Sequence, residues 1–304
     1  MRVARAALEH AGGTSLGTHP GAAGTRSAAG TMRGMHGPWM QIADGVFVRR
    51  YRFFDQSIVA VVDRGQALVV DTRSTYRQAR EVVEDLRSLG APRLTAVVNT
   101  HGHYDHAFGN RVFRPAPIWG HERAAVMLGP RGGQRELATS GLPGLAAELA
   151  EVELDPPDRR FTDHADIELG DRLVRLAYLG RGHTDNDVVL SVEGADVLCV
   201  GDLLENGAAP SFGDSFPLDW PATAQAILAL TGDRTVVVPG HGEPAGRAFA
   251  ERQAGEIARI AELARDVHAG ELDLEAALAQ APWSPEGSRA PVERALAQLR
   301  GELG

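Results

Sequence analysis

The chain has 304 residues, 43% of them hydrophobic, enough for one large domain or two modest ones. Its net charge of −9 and the lack of any basic run argue against a nucleic-acid partner, because phosphate contacts need clustered cations. No apolar run approaches the ~18 residues of a membrane span, and the single cysteine, Cys199, excludes an intrachain disulfide.

Residues 1–38 are rich in Gly, Ala, Ser and Thr without periodicity, and read as a disordered leader. Met32, Met35 and Met40 lie just before the first strand, so one of them is expected to be the true start. Ala6-Ala7-Leu8 is broken at once by Glu9 and His10, too short for a signal peptide, and a cytoplasmic protein is the default. Strands are expected at 39–42, 46–50, 57–62 and 67–70, with Asp44-Gly45 and Arg64-Gly65 as turns. Tyr76, Ala79, Val82, Val83, Leu86 and Leu89 recur at helical spacing; the helix ends at Gly90, with Pro92 blocking continuation. A buried strand over 94–100 completes a β-α-β unit.

Residues 122–150 read as helices broken at 129–133, and 141–160 as a loose acidic segment. Strands follow at 166–169, 172–179, 187–192 and 196–200. A helix over 221–231 and a strand over 235–238 close a core spanning 39–245. From 246 to 304 the chain is a helical appendage. Ile257, Ile260, Ala261, Ala264 and Val267 form one apolar stripe, Leu274, Ala277 and Leu278 another, and Pro291 is expected to open the last helix. These helices are read as packing or dimerisation elements, compatible with a homodimer.

The chemistry lies at strand ends. His101-Gly102-His103-Tyr104-Asp105-His106 follows the strand-like Leu94–Thr100. Period-two geometry lets His101 and His103 point the same way. Asp105 and His106 are adjacent, so they are expected to diverge and serve a second centre. His183, Asp202 and His241 each sit beside glycine after another apolar run. Imidazole and carboxylate without thiolate form a first-row transition-metal ligand set, zinc foremost. His10, His19, His36, His164 and His268 match no motif and read as solvated. His121 is read as opening the helix over 122–128. Cys199 reads as a small buried hydrophobe. Every one of the 31 basic residues is arginine, so no lysine serves as Schiff base, general base or carboxylate clamp.

Taken in order, HGHYDH, GRGHT, VGD and PGHG resemble the metallo-β-lactamase fold hydrolases over about residues 40–245. The resemblance implies a mixed α/β fold, a four-layer αβ/βα sandwich, here with a C-terminal helical extension. Carried over by residue, it implies that His101, His103 and His183 hold one metal and Asp105, His106 and His241 the other, with Asp202 bridging. It implies two Zn²⁺ per chain, with Fe or Mn as substitutes, and a metal-bridging hydroxide attacking the carbonyl of a small substrate. Asp105 is then both a ligand and the residue that orients the nucleophile or passes its proton on.

Two departures bear on the substrate. Asp202 stands where lactamases of the cysteine-ligand subclass have cysteine, and Glu205 where many have a lysine that grips the drug carboxylate. A like charge there would repel that carboxylate, which favours a neutral ester, thioester or lactone. A true β-lactamase is the alternative reading, and a mononuclear iron persulfide dioxygenase is the alternative from another class.

Overall fold

The computed structural model describes residues 37–90 and 93–303. The leader up to residue 36, with Met32 and Met35, the helix stop at Pro92, and His10, His19 and His36 lie outside the described residues. One sheet runs in chain order: β1 (Met40–Ala43), β2 (Val46–Tyr51), β3 (Gln56–Asp63), β4 (Gln66–Val70), β5 (Arg93–Val98), β6 (Ile118–His121) and β7 (Arg159–Phe161). Short turns make β1 to β4 antiparallel, whereas crossovers make β4 to β7 parallel. The second sheet comprises β8 (His164–Leu169), β9 (Arg172–Tyr178), β10 (Val188–Val192), β11 (Val197–Gly201) and β12 (Val236–Pro239), in the order β12-β11-β10-β9-β8.

The strands read as continuous apolar runs because both faces are covered. In β3, Val59 and Val61 face the second sheet, while Ile58 and Ala60 face the helix α1 (Tyr76–Leu86). In β10, Val188, Leu190 and Val192 face inward and Val189 faces the opposite helical layer. That layer contains α6 (Trp220–Leu230), α7 (Arg247–Ala269), α8 (Leu274–Leu278) and α9 (Pro285–Leu299). Helix, sheet, sheet and helix thus form the four-layer sandwich, in which each fully buried Val or Leu is worth roughly 1.5–3 kcal/mol. Between β5 and β7 lie the short helices α2 (Tyr104–Ala107), α3 (Glu122–Met127), α4 (Gln134–Gly141) and α5 (Ala146–Ala150).

Ile257, Ile260, Ala261 and Ala264 on α7 are buried as the stripe predicts, and Gly90 ends the α1 segment with φ 65°. Three features differ from the sequence reading. Strand β5 stops at Val98, so His101 and His103 lie on a loop rather than a strand. Short β6 and β7 were not legible as strands, because four- and three-residue pieces carry too little periodicity. Pro291 lies inside α9 and does not open it. The helix starts two turns earlier at Pro285, where the Ser284 hydroxyl accepts from Gly287 N, so an N-cap and a first-turn proline act together. Pro291 leaves the Gly287 carbonyl without its intrahelical donor.

Candidate metal centre

The centre gathers where several strands end. After β5 the chain passes through the loop bearing His101 and His103 into α2, whose first turn carries Asp105 and His106. Gly180–Gly182 carry the chain from β9 to His183, β11 delivers Asp202, and β12 delivers His241. Gly240 is required by close approach, since a Cβ there would lie 1.9 Å from Asp202 Oδ1. Gly242 adopts φ 91°, and a Cβ there would meet Asn206 O at 1.6 Å.

All seven residues named from the motifs meet. His103 Nδ1 lies 2.9 Å from both His101 Nε2 and His183 Nε2. His106 Nε2 and His241 Nε2 are 3.2 Å apart, and each lies 3.4 Å from Asp105 Oδ2. The expected divergence of Asp105 and His106 is therefore not observed. The turn into α2 brings both side chains to one point. Asp202 stands between the two groups: Oδ2 lies 3.5 Å from His183 Nε2 and 3.3 Å from His241 Nε2, and Oδ1 lies 3.4 Å from His106 Nε2. Although buried, Oδ1 makes no hydrogen bond.

The outward ring nitrogens explain why the inward ones face one another. His183 Nδ1 meets the Ser211 carbonyl at 3.1 Å, and His241 Nδ1 meets the Phe54 carbonyl at 2.7 Å. Carbonyls only accept, so these nitrogens must donate. The Nε2 lone pairs of neutral His183 and His241 then point inward. His106 Nδ1 meets Asp71 Oδ2 at 2.8 Å, His103 Nε2 meets Asp214 Oδ2 at 2.9 Å, and His101 Nδ1 meets Thr100 Oγ1 at 3.0 Å. Every histidine of the set thus has its outer nitrogen tied, as metal-ligating histidines characteristically do. Convergent lone pairs repel unless a cation or a proton lies between them. A tetrahedral site with arms of about 2.0 Å has edges of about 3.3 Å, and the observed separations lie on both sides of that value. The donor set therefore fits a pair of metal ions.

The electrostatics of the metal-free protein agree. Burial opposes charge on His106 and His241, but Asp202 and Asp105 prevail and raise both well above the ordinary range. Burial likewise opposes charge on His103, yet Asp214 lifts it to about 9. His183, dominated by burial, falls to about 4. Burial also opposes ionisation of Asp105 and Asp202, and the neighbouring histidines hold both well below the usual carboxylate range. Protons on His106, His241 and His103 therefore sit where cations would.

Several contributors escaped the sequence reading. Asp71 follows the buried run of β4 as Asp202 follows β11, but no glycine adjoins it in the sequence. Gln56 Nε2 donates to the Asp105 carbonyl at 2.5 Å. Asp214 and the carbonyls of Phe54 and Ser211 carry no sequence signal. Phe54 has φ 61°, a strained conformation that places its carbonyl on His241. Glu205 is buried, and its carboxylate accepts from Ser211 N at 2.9 Å. It groups with His183 and Asp202, ligand atoms within 4.8 Å of one another. Burial, then the charge of Asp202, push it up to about 7. His121 lies apart from the centre: it caps α3, accepting from Arg123 N at 3.3 Å, and stacks on Tyr178. His164 and His268 are exposed, and Cys199 is buried.

A family model described as the metallo-beta-lactamase superfamily matches residues 51–241. The metallo-beta-lactamase type 2 of Bacillus cereus is 25% identical over 192 residues, covering 62% of this chain and 67% of its own. That of Bacteroides fragilis is 26% identical over 195 residues, 63% and 70% of the two chains. The acyl-coenzyme A thioesterase MBLAC2 of Gallus gallus is 25% identical over 221 residues, 66% and 78% of the two. Among solved structures, a metallo-beta-lactamase from Pontibacter korlensis superposes with a TM-score of 0.58 at 19% identity, covering 72% of this chain and 98% of that one. At that identity the likeness speaks for the fold alone.

Proposed function

The chain belongs to the metallo-β-lactamase superfamily, a family of hydrolytic enzymes, and from that premise we propose a dinuclear zinc hydrolase acting on a small ester, thioester or lactone. His101, His103 and His183 would hold one ion and Asp105, His106 and His241 the other, with Asp202 shared. Bound zinc supplies a nucleophile usable near neutral pH and polarises a carbonyl. The observation that carries the reading is the convergence of five imidazole ring nitrogens on two carboxylates, with each outer ring nitrogen held by its own partner.

The protein's own groups have separable tasks. Asp71, Asp214, Thr100 and the carbonyls of Ser211 and Phe54 set the tautomers and ring planes. Asp105 is fixed through its backbone by Gln56, so its Oδ2 faces His106 and His241 and is placed to hold the proton of an attacking water. Glu205 adds a carboxylate, rather than a cation, beside Asp202. A substrate with its own carboxylate near the scissile bond would find no cation there to grip it, and would be repelled by the fraction of Glu205 ionised near pH 7. This supports neutral substrates, and the thioesterase relative supports the thioester among them.

Hydrolysis of a β-lactam amide is the second reading, favoured by the bacterial relatives named as metallo-beta-lactamases. Turnover of the zinc-loaded protein on thioesters, lactones and β-lactams side by side tests the choice. The proposal expects neutral esters or thioesters to lead. A carbapenem preferred over every neutral ester would defeat it. Among the described residues no helix is long and apolar enough to cross a membrane. A cytoplasmic setting belongs to the same proposal and is open to cell fractionation.

A further inference from the structure

Two of the three histidines proposed for one ion take their outer partners from a single loop, residues 206–219 between β11 and α6. Ser211 O holds His183 Nδ1, and Asp214 Oδ2 holds His103 Nε2. No helix or strand lies in that loop, so its position depends on what grips it. Much of the grip comes from the last helices. Arg294 Nε on α9 donates to Ser215 O at 2.8 Å, next in sequence to Asp214. Gln298, one turn further, accepts from Leu218 N at 2.9 Å and donates to Asp219 Oδ2 at 2.8 Å. The Phe212 ring packs between Trp220, centroids 4.8 Å apart, and Trp283, 5.7 Å apart, the latter just before α9. Gln253 on α7 clamps the base of the loop, accepting from Glu205 N and donating to Glu205 O.

We propose that the C-terminal helices are a positioning element of the three-histidine group, with Arg294 and Gln298 holding the 206–219 loop so that Asp214 and Ser211 fix the rings of His103 and His183. The Arg294 contact is directional and ends on Ser215, which adjoins Asp214, while Gln298 holds Leu218 and Asp219 at the far end of the same loop. Simple packing of α9 is served by other residues, the buried Val292 and Ala295. Arg294 also faces the Asp214 carboxylate with a favourable charge. The helical segment thereby acquires a role in the centre without supplying a ligand. This inference rests on the metal reading above.

Competition of the full chain with a chromophoric chelator gives the two stepwise zinc affinities, read for wild type, Arg294→Met, Asp214→Asn and the double variant. Losing a direct partner of a ligating histidine costs about 10–100-fold in metal affinity. Asp214→Asn should weaken one of the two constants by that amount and leave the other within about twofold. Arg294→Met, acting one step further out, should weaken the same constant by about fivefold. Because it acts through Asp214, its effect should largely vanish in the Asp214→Asn background. Melting of the metal-free proteins checks the fold, and Gln298→Leu, with the same expected direction, stands in if Arg294→Met melts below the working temperature. Unchanged constants, or losses that multiply fully in the double variant, would overturn the inference while leaving the metal reading intact. Wild type that binds no zinc would strike the metal reading itself, and the inference with it.

Discussion

Asp71 Oδ2 lies 2.8 Å from His106 Nδ1, and the same carboxylate accepts from Thr100 N and Thr100 Oγ1, both at 2.8 Å. One buried carboxylate thus ties the end of β4 to the loop that carries His101 and His103 and sets the tautomer of His106. Asp71→Asn keeps the size but can present an amide N–H to the ring nitrogen, which would reverse the tautomer. Zinc affinity measured by chelator competition should fall by about 10–100-fold, with the melting temperature of the metal-free protein changing much less. Unaltered affinity would remove Asp71 from the account.

The two ligand groups should be separable. His103→Ala strips a nitrogen that faces both His101 and His183, so it should abolish nearly all hydrolysis and lose one zinc. His241→Ala should release the ion shared with Asp105 and His106 and retain the other. Zinc content by elemental analysis decides. Loss of both ions from His241→Ala, with circular dichroism unchanged, would contradict the partition; the shared Asp202 makes a titration of partial occupancy the right form of the experiment.

Much of this is legible in the sequence, and the reason is physical. Polar residues after apolar runs are legible because a buried strand and its polar terminus are both local signals, as at His101, Asp202 and His241, which the structure brings together. The four layers are what the resemblance carried by HGHYDH, GRGHT, VGD and PGHG implies, and runs such as Val188–Val192, covered on both faces, agree with it. What was illegible depends on distant chain segments. Asp214 reaches His103 across 111 positions of sequence, and Phe54 reaches His241 across 187; no pattern near either residue announces the meeting. Pro291 misled for the opposite reason. Proline is a good local start signal, but Ser284-Pro285 provides a better one two turns earlier.

Glu205 was expected to bear on substrate choice, and it is buried against Ser211 N with Asp202 nearby rather than turned to solvent. Glu205→Gln keeps the acceptor for Ser211 and removes the charge that Glu205, pushed up to about 7, carries fully only above that pH, so the comparison is made at pH 8 to 9. Relative kcat/KM for carboxylate-bearing β-lactams over neutral esters should rise, by on the order of 1–2 kcal/mol in the transition-state difference. A ratio unmoved by the substitution would show that the carboxylate does not face bound substrate.

Metal uptake should release protons. His103, raised to about 9, and His106 and His241, which Asp202 and Asp105 raise well above the ordinary imidazole range, carry protons at pH 7 in the metal-free protein, whereas His183, at about 4, does not. A bound ion must displace them, so apparent affinity should fall as pH drops and climb as pH rises toward 9. Calorimetry at pH 7 in buffers of different ionisation enthalpy should show more than one proton released on loading. Net uptake, or none, would contradict the charge assignment.

The central claim is two hydrolytic metal ions in one site, and zinc stoichiometry at saturation tests it most directly. Equilibrium dialysis of the wild-type chain followed by elemental analysis should return two zinc ions per chain, with ester or thioester hydrolysis rising as the second is bound. A single ion at saturation, with iron loading producing persulfide-dependent oxygen uptake and no hydrolysis, would contradict the account and assign the site to oxidation.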